Sequence, residues 1–432
     1  MPPQPCDLLL SGGLVVTMVE PNRLIWPGSV AIRGRDIVGV GPTNDIAAQW
    51  RPSVTLDCST QAILPGLVNC HVHAGMSLLK SRAGDWPFRR RLREVIWPFA
   101  EAITEEASYI GTRLGCLEMM KAGITTFADM WPFPDANAEA VKSIGLRAVL
   151  APYGRAYTAG EAEALATATQ RWNDDRLAAA IGIQYLFEWT HKTLLETAAL
   201  VGIYGLRIHM HAADIRAEVA GGHNLAEIDA IGLLRPGTIL AGCVHLTPEE
   251  IDLAGLRGAG VALTPVSSAK LGAGFAPLAQ LKACMPVGLG TDSVCSNDRH
   301  DLFDEMRVAI LAGRGRGEPD ALSAEDALHL ATVGGARVLG INQRIGSLEV
   351  GKRADVITID LDDPRFVPLH RERREQVIAH IVFVASCTDV DTVIGDGQIL
   401  VREGKARNLD ETDIMRRGQE ISRTCLAKAG LA

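Results

Sequence analysis

The stretch AILPGLVNCHVH, residues 62–73, joins an apolar run to two histidines that stand two positions apart. A short apolar run bounded by Gly or Pro is typical of a strand that is buried on both faces of a parallel sheet. Side chains at i and i+2 of a strand point to the same side, so His71 and His73 face one way. The stretch therefore predicts an inner strand with paired imidazoles at its carboxyl end.

Seven further apolar runs of the same kind follow, with helical patterns between most of them. Two helices open with capping residues, one at Thr247 with Pro248 and Glu250, the other at Ser323 with a carboxylate three residues on. Eight strand–helix units in about 280 residues match a (β/α)8 barrel in size and order. An open doubly wound sheet is the alternative, but its glycine-rich phosphate loop is missing after the early strands. The seven runs are GITTFADM (123–130), GLRAVLAP (145–152), AAAIGIQYL (178–186), GLRIHMHA (205–212), GTILAGCV (237–244), GVALTPV (260–266) and VGLGTDS (287–293).

The two chain ends differ from this middle part, because short β-like runs alternate there with Gly-rich turns. We predict one small sheet domain built from both ends, followed by a helix that Asp410 or Thr412 caps and that a glycine follows. The predicted divisions are 1–62 for the first part of the sheet domain, 63–345 for the barrel, 346–405 for the second part of the sheet domain, and 406–432 for the helix.

Polar residues gather at the carboxyl ends of the predicted strands, the edge at which barrel enzymes carry their chemistry. A single histidine on an apolar strand is more often a structural residue than a metal ligand. Two His-x-His pairs and one carboxylate, all at strand ends, are much harder to place together by chance. The residues concerned are His71 and His73 after strand one, His209, His211 and Asp214 after strand five, His245 after strand six, and Asp292 after strand eight.

Three imidazoles and one carboxylate at this edge would form a nitrogen and oxygen site suited to a divalent metal. His209 and His211 compete for the ligand position of the fifth strand. Because His211 lies nearer the barrel mouth, we assign it to the metal and His209 to the layer beneath. The remaining histidines stand mainly in helical or loop contexts and are interpreted as structural: His191, His223, His300, His329, His370 and His380.

Composition argues against several classes of protein. The net charge is −8 at pH 7, whereas nucleic-acid-binding proteins usually present a basic face. No apolar run approaches the ~18 residues of a transmembrane helix, and the N-terminus lacks the basic and apolar segments of a signal peptide. The nine cysteines form no Cys-x-x-Cys pair, which disfavours a disulfide framework or a structural zinc site. We therefore expect a cytoplasmic protein that binds a small molecule and has no nucleic-acid or membrane partner.

The chain resembles the amidohydrolase superfamily, in the chlorohydrolase and aminohydrolase branch that includes guanine, cytosine, adenosine-type and S-adenosylhomocysteine deaminases and s-triazine hydrolases. The resemblance covers nearly the whole chain. It implies a distorted (β/α)8 barrel with a composite β-sandwich made from both chain ends, and a homodimer or larger homo-oligomer. The stretches that carry it are PGLVNCHVHAGMSLLKS, AGITTFADM, HMHAAD, GFAPLAQL, VGLGTDSVCSND and GSLEVGKRADVITID.

The resemblance also implies a reaction. One divalent metal, zinc most often and iron as the alternative, would be held by His71, His73, His211 and Asp292, and would lower the pKa of a water molecule. Asp292 would take a proton from that water. A second acid would protonate a ring nitrogen and then the leaving group. The expected reaction is hydrolytic deamination of a small aminated N-heterocycle or an amidine-like compound.

Several positions depart from the pattern of the branch. Asp214 stands where relatives have a proton-shuttling glutamate, and Gly242 stands where they have a histidine. The metal positions are kept while substrate-facing positions are rebuilt. Asp214 and Asp292 would then divide the proton transfers, or the same metal would serve a different reaction: cyclic amide hydrolysis, dechlorination of a triazine-like ring, or a lyase or isomerase step. A catalytically silent homologue is a third hypothesis, against which the four intact metal positions weigh. Further departures are Thr264 and Ser268 in place of asparagines and, on strand four, Gln184 in place of a Pro-His pair.

The long segment after strand one, residues 76–99, mixes aromatic and basic residues, and the family resemblance implies that it covers the barrel mouth. Trp86 would either contact the substrate or pack on the barrel as part of an aromatic helix face. For the three consecutive arginines 89–91 we favour a solvated helix face. The candidate substrate-binding residues are Gln184, His245, Trp86 and Ser267.

Overall fold

A computed structural model gives the structure of residues 2–19, 24–84, 86–216 and 223–431. Its strands fall into two hydrogen-bonded sheets, one formed by the middle of the chain and one by its two ends. In chain order the strands are β1 Gln4–Val16, β2 Leu24–Arg33, β3 Asp36–Pro42, β4 Trp50–Asp57, β5 Gln61–Pro65, β6 Leu67–Val72, β7 Ile124–Asp129, β8 Arg147–Leu150, β9 Leu177–Ile183, β10 Arg207–Ala212, β11 Ile239–Gly242, β12 Gly260–Leu263, β13 Val287–Leu289, β14 Val356–Asp360, β15 Val390–Gly395, β16 Gln398–Arg402 and β17 Lys405–Ala406.

Strands β6 to β13 form the parallel sheet that the eight apolar runs predict. Each strand pairs in parallel with the next one along the chain, so the strand order in space equals the order in sequence. All residues of β6, β7, β8, β11, β12 and β13 are buried, as expected for strands covered on both faces. The predicted (β/α)8 barrel is confirmed.

The barrel closes where β13 runs into the loop that carries Asp292. The backbone N–H of Asp292 donates to the carbonyl of His71 at 3.0 Å, and Val72 and Asp292 form a parallel bridge. Glycines permit this approach, because a Cβ at Gly288 would lie 2.5 Å from the Cys70 Sγ and one at Gly290 would lie 2.8 Å from the His71 nitrogen. Closure therefore places the first and last strands of the barrel side by side at the mouth.

The opening stretch, residues 62–73, proves to contain parts of two strands rather than one. Its first part belongs to β5, which pairs with β1 and β14 in the other sheet, and its second part forms β6. Gly66 separates them at a point where a Cβ would lie 2.2 Å from the Thr125 Oγ1. The polypeptide thus passes from the terminal sheet into the barrel without an intervening loop.

The second sheet joins β1–β5 to β14–β17, in the order β17-β16-β15-β14-β5-β1-β2-β3 with β4 beside β1. The antiparallel pair β5–β14 links the two chain ends. Side chains from both ends share one buried cluster that includes Leu10, Val30, Ile63, Val356 and Ile394. The sheet domain built from both ends is therefore present, whereas the divisions at residues 62, 345 and 405 stay predictions.

Three predicted helix starts are confirmed. Thr247 and Ser323 each accept a hydrogen bond from a backbone N–H three residues on, in reciprocal capping boxes, and Asp410 caps the last helix by accepting from the Asp413 nitrogen. Within the described ranges, no helix combines the length and apolar character needed to cross a bilayer. The helices are α1 Thr43–Gln49, α2 Phe88–Arg91, α3 Trp97–Ala102, α4 Glu105–Lys121, α5 Pro134–Ile144, α6 Ala159–Ala166, α7 Ala168–Trp172, α8 His191–Tyr204, α9 Leu225–Ala230, α10 Pro248–Leu256, α11 Pro265–Lys270, α12 Leu278–Cys284, α13 Leu302–Gly315, α14 Ala324–His329, α15 Gly335–Val338, α16 Arg374–Phe383 and α17 Glu411–Lys428.

Candidate active site

Four side chains converge at the mouth of the barrel: His71 and His73 from the end of β6, His211 from β10, and Asp292 just after β13. Their ligand atoms all lie within 4.8 Å of one another, and all four residues are buried. The Asp292 Oδ1 is 3.3 Å from the His73 Nε2 and 3.6 Å from the His71 Nε2. Three imidazoles and one carboxylate are a donor set that suits a borderline divalent cation. The structure thus brings together the four residues predicted to bind metal.

Hydrogen bonds orient the two histidines at the end of β6. The His73 Nδ1 lies 2.6 Å from the Met130 carbonyl, which can only accept, so Nδ1 is the donor and Nε2 is the nitrogen that faces Asp292. The His71 Nδ1 lies 2.8 Å from the His209 Nε2, and among the described residues the buried His71 Nε2 has no hydrogen-bond partner. In the tautomer that donates from the His71 Nδ1 to the His209 Nε2, the His71 Nε2 lone pair is available to a cation.

His209 lies beneath the cluster, as predicted, and supports His71 rather than joining it. Burial lowers the pKa of His209 well below its ordinary value, and burial likewise lowers the pKa of His71 to about 3. Both imidazoles are therefore neutral at physiological pH. A neutral imidazole is the form that binds a metal ion.

The Asp292 carboxylate has two differently occupied oxygens. Its Oδ2 accepts from the Ser267 Oγ at 2.5 Å and from the Ser296 Oγ at 2.7 Å, while Oδ1 faces the imidazoles. Asp292 also has a φ of +56°, a strained value of the kind that concentrates at functional sites.

Of the two serines that bind Asp292, the sequence analysis identified only Ser267. Ser267 is a predicted substrate-binding residue, and the structure places its hydroxyl on Asp292. Ser296 was missed, although its position four residues after Asp292 in TDSVCS put a hydroxyl within one turn of the carboxylate. Both hydroxyls help to direct the free oxygen of Asp292 toward the cluster.

Asp214 lies next to the metal-binding cluster and directly over Gly242. Its side chain is buried, and its Oδ2 is 3.6 Å from the His211 Nδ1. A Cβ placed on Gly242 would lie 2.5 Å from the Asp214 Oδ1. His245, a predicted substrate-binding residue, is half-buried in the loop that follows β11, and burial lowers its pKa. The carboxylate of Asp214 therefore fills the space that a side chain at position 242 would occupy.

Aromatic rings form a wall beside the cluster. The centroid of the Tyr185 ring is 5.5 Å from that of His211, and Tyr185 stacks on Phe187 at 5.1 Å and meets the edge of Phe88 at 5.9 Å. Gln184, the predicted substrate-binding residue, is buried immediately after β9. Sequence reasoning missed Tyr185, although it is the next residue along the chain.

The segment over the mouth packs in part as expected. Trp86 is half-buried against an apolar cluster, and the Arg90 guanidinium lies 4.0 Å from its ring centroid. A solvated position is right for Arg89 and Arg90, which are exposed, and wrong for Arg91. Arg91 is buried and donates to the Cys295 carbonyl at 3.0 Å, because α2 lies with one face against the loop after β13. The run of three arginines gives no sign of which face that is.

A second layer of polar groups fixes the same loop from below. Asn69 on β6 donates to the Thr291 Oγ1 at 2.8 Å and accepts from the Thr291 nitrogen at 3.1 Å. The ring nitrogens of His300 lie 3.2 Å from the Thr291 Oγ1 and 3.4 Å from the Ser77 Oγ. Burial lowers the pKa of His300 to about 4. His300 therefore has the structural role that the sequence suggests.

A closed parallel barrel with three imidazoles and a carboxylate gathered at its carboxyl edge defines a class of metal-dependent barrel hydrolase. The sequence matches the amidohydrolase family over residues 62–400, and the chain belongs to that family. The predicted family resemblance is confirmed.

Individual relatives agree with this placement. The chain is 36% identical over 428 residues to the 5-methylthioadenosine/S-adenosylhomocysteine deaminase of Pelotomaculum thermopropionicum, covering 96% of this chain and 98% of that one. It is 35% identical to the 5′-deoxyadenosine deaminase of Methanothermobacter thermautotrophicus, covering 90% and 92%. The structure superposes on a zinc-bound adenosine deaminase from Xanthomonas campestris with a TM-score of 0.92 and 31% identity, covering 99% of this chain and 100% of that one.

Proposed function

We propose that this enzyme removes an exocyclic amino group, as ammonia, from an adenine nucleoside with a modified 5′ position, within the wider class of aminated N-heterocycles. The observation that carries the proposal is the buried cluster of His71, His73, His211 and Asp292, with one carboxylate oxygen facing the imidazoles. The relatives named for deamination of 5-methylthioadenosine, S-adenosylhomocysteine and 5′-deoxyadenosine support the substrate class.

The cluster fits one divalent cation, and we propose zinc, with iron as the alternative. The buried His71 Nε2 has no hydrogen-bond partner among the described residues, and it lies close to the ligand atoms of the other three residues. The zinc in the Xanthomonas campestris adenosine deaminase supports the choice of ion. A cation held there supplies Lewis-acid activation of water at neutral pH.

The chain's own residues would divide the proton transfers. Asp292, with Oδ2 held by Ser267 and Ser296, presents Oδ1 to accept the proton of the attacking water. Asp214, which lies beside His211, would deliver a proton to a ring nitrogen and to the departing amine. Tyr185 provides a flat apolar surface on which a heterocycle would stack. Direct substrate contacts by Gln184, His245 and Trp86 remain predictions.

A second reaction class has one specific observation in its favour. The acid beside the cluster is an aspartate that occupies the space over Gly242, and position 242 itself has no side chain to offer the substrate. A one-methylene change in the reach of an acid alters which substrate atom it can protonate. Cyclic amide hydrolysis, dechlorination of a triazine-like ring, or a lyase or isomerase step on the same cluster is therefore the alternative proposal.

Ammonia release tests the two proposals against each other. Purified enzyme would be assayed with adenosine, 5′-deoxyadenosine, 5-methylthioadenosine, S-adenosylhomocysteine, guanine, cytosine and an aminated triazine. A cyclic amide and a chlorotriazine form the second arm, and Asp292→Asn is the inactive control. We expect about one metal ion per chain and ammonia from the nucleosides. Bound metal without ammonia from any compound would favour the alternative reactions, and a chain that binds no metal would refute both.

We also propose a cytoplasmic homo-oligomer, a dimer or larger. Among the described residues no cysteine forms a disulfide, which fits a reducing compartment, and seven of the nine cysteines are buried. Light scattering after size-exclusion chromatography would measure the assembled mass directly. A mass equal to that of one chain, 46.3 kDa, would overturn the oligomer.

A further inference from the structure

Gly242, the last residue of β11, lies so close to Asp214 that a side chain at position 242 would clash with it. A Cβ built on Gly242 would lie 2.5 Å from the Asp214 Oδ1 and 2.6 Å from both its Cβ and its Cγ. Distances under 3.0 Å essentially never occur for real Cβ atoms. Because the Asp214 Cβ is itself one of the struck atoms, rotation about χ1 cannot relieve the contact.

The backbones that carry the two residues are tied together. The Cys243 nitrogen donates to the Ala212 carbonyl at 2.9 Å, and the His245 nitrogen donates to the Ala213 carbonyl at 2.9 Å. Ala213 and Cys243 both have positive φ values, of +47° and +57°. Such strained residues persist only where the surroundings hold them. The two loops therefore have little freedom to separate if the space over Gly242 is filled.

We propose that Gly242 is a positioning residue for Asp214: its missing side chain creates the seat that holds the Asp214 carboxylate beside His211. This inference rests on the proposed function, in which Asp214 is the acid that serves the substrate. A methyl group at position 242 would push the whole Asp214 side chain away, and a displacement of about 1 Å in a catalytic group can cost on the order of 100-fold in rate.

A matched pair of variants separates this contact from backbone strain. Gly242 has a φ of +87°, so Gly242→Ala is strained whatever the space around it. Gly232 has a φ of +82° with no atom within 4 Å of its built Cβ, so Gly232→Ala reports strain alone. We expect Gly242→Ala to lower kcat by about 100-fold with little change in KM, and Gly232→Ala to leave both near wild type. Equal kinetics for the two variants would overturn the proposal.

A double-mutant cycle identifies the residue through which Gly242 acts. Asp214→Gly removes every Asp214 atom that the new methyl group would strike. If Gly242 acts through Asp214, adding Gly242→Ala to Asp214→Gly causes no further loss of kcat. If instead the bare backbone at Gly242 contacts the substrate, the loss persists in the Asp214→Gly background, and the positioning role is wrong.

A stability cycle keeps this inference distinct from the proposed function. Gly242→Ala should lower Tm more than Gly232→Ala does, and the excess should vanish in the Asp214→Gly background, with metal content unchanged in all variants. This arm needs no substrate. If the Tm excess vanishes in the Asp214→Gly background but the enzyme releases no ammonia, deamination is refuted and the positioning role of Gly242 stands. If the Tm excess persists in the Asp214→Gly background and the enzyme releases ammonia, the positioning role is refuted and deamination stands.

Discussion

The chain carries the same three-residue pattern twice, His71-Val-His73 at the end of β6 and His209-Met-His211 on β10, and the fold uses the two copies differently. Both histidines at the end of β6 enter the metal-binding cluster, whereas only His211 of β10 does so. His209 instead lies 2.8 Å from the His71 Nδ1, one layer deeper in the barrel. Spacing puts both members of each pair on one face of a strand, but depth in the barrel decides which imidazoles share a centre.

The two histidines at the end of β6 also differ in the group that holds each ring by a hydrogen bond. The His73 ring is held by a backbone carbonyl, that of Met130, and the His71 ring is held by another side chain, His209. A carbonyl cannot be removed by substitution, while an imidazole can. His209 is therefore the point at which the support of the cluster is open to mutation.

The largest effect should follow from removing His211. His211→Ala takes one of the three imidazoles from the cluster, so we expect metal content to fall far below one ion per chain and activity to disappear. Metal analysis of the purified protein checks this. Full occupancy in His211→Ala would show that the two pairs do not differ in the way described here.

A smaller effect should follow from changing His209. His209→Leu removes the acceptor for the His71 Nδ1–H, and loss of such a support typically costs 10- to 100-fold in metal affinity. His209→Gln keeps a side-chain oxygen that can accept the same proton, so we expect partial recovery. Competition with a chelator measures both affinities. An affinity loss in His209→Leu equal to that of His211→Ala would make His209 a ligand.

Asp292, like His71, is held in place by hydrogen bonds to neighbouring side chains. Ser296→Ala removes one of two hydroxyls that hold the Asp292 Oδ2. A hydrogen bond to a charged group contributes about 1.5–3 kcal/mol, so kcat/KM should fall by roughly tenfold or more. Ser267→Ala is the comparison on the other side of the same oxygen. An unchanged kcat/KM in both variants would mean that the strained backbone alone positions Asp292.

The smallest effect concerns His300, a buried histidine outside both pairs. Burial lowers its pKa to about 4 from 6.5, so the folded state keeps it neutral while the unfolded state takes up a proton. Its share of stability is present above pH 6.5 and is lost as the pH falls toward 4. We expect His300→Gln to flatten the dependence of Tm on pH between 6.5 and 4. The same slope in variant and wild type would contradict this.

Local patterns in the sequence predict the barrel and the cluster because both depend on periodicity. Apolar runs of the right length gave all eight barrel strands, and the i, i+2 rule placed the histidines. Capping residues gave the starts at Thr247, Ser323 and Asp410 because a cap bonds to its own helix. These features require no knowledge of distant residues.

The remaining features depend on contacts between distant parts of the chain. Ser296 and Tyr185 reach the cluster only through the paths of their loops. The burial of Arg91 depends on the loop after β13, 204 positions away, and the seat over Gly242 depends on Asp214. A short stretch of sequence cannot reveal contacts of this kind.

The pairing of β5 with β14 bears on how the protein is made. Gln61 leaves the ribosome about 300 positions before its partner Asp360. Until then β5 has an unpaired edge, and β6, with its two histidines, starts only two residues beyond β5. A truncated nascent chain that ends before Val356 therefore leaves exposed backbone next to half of the cluster. Chaperone protection should matter most during that interval of translation.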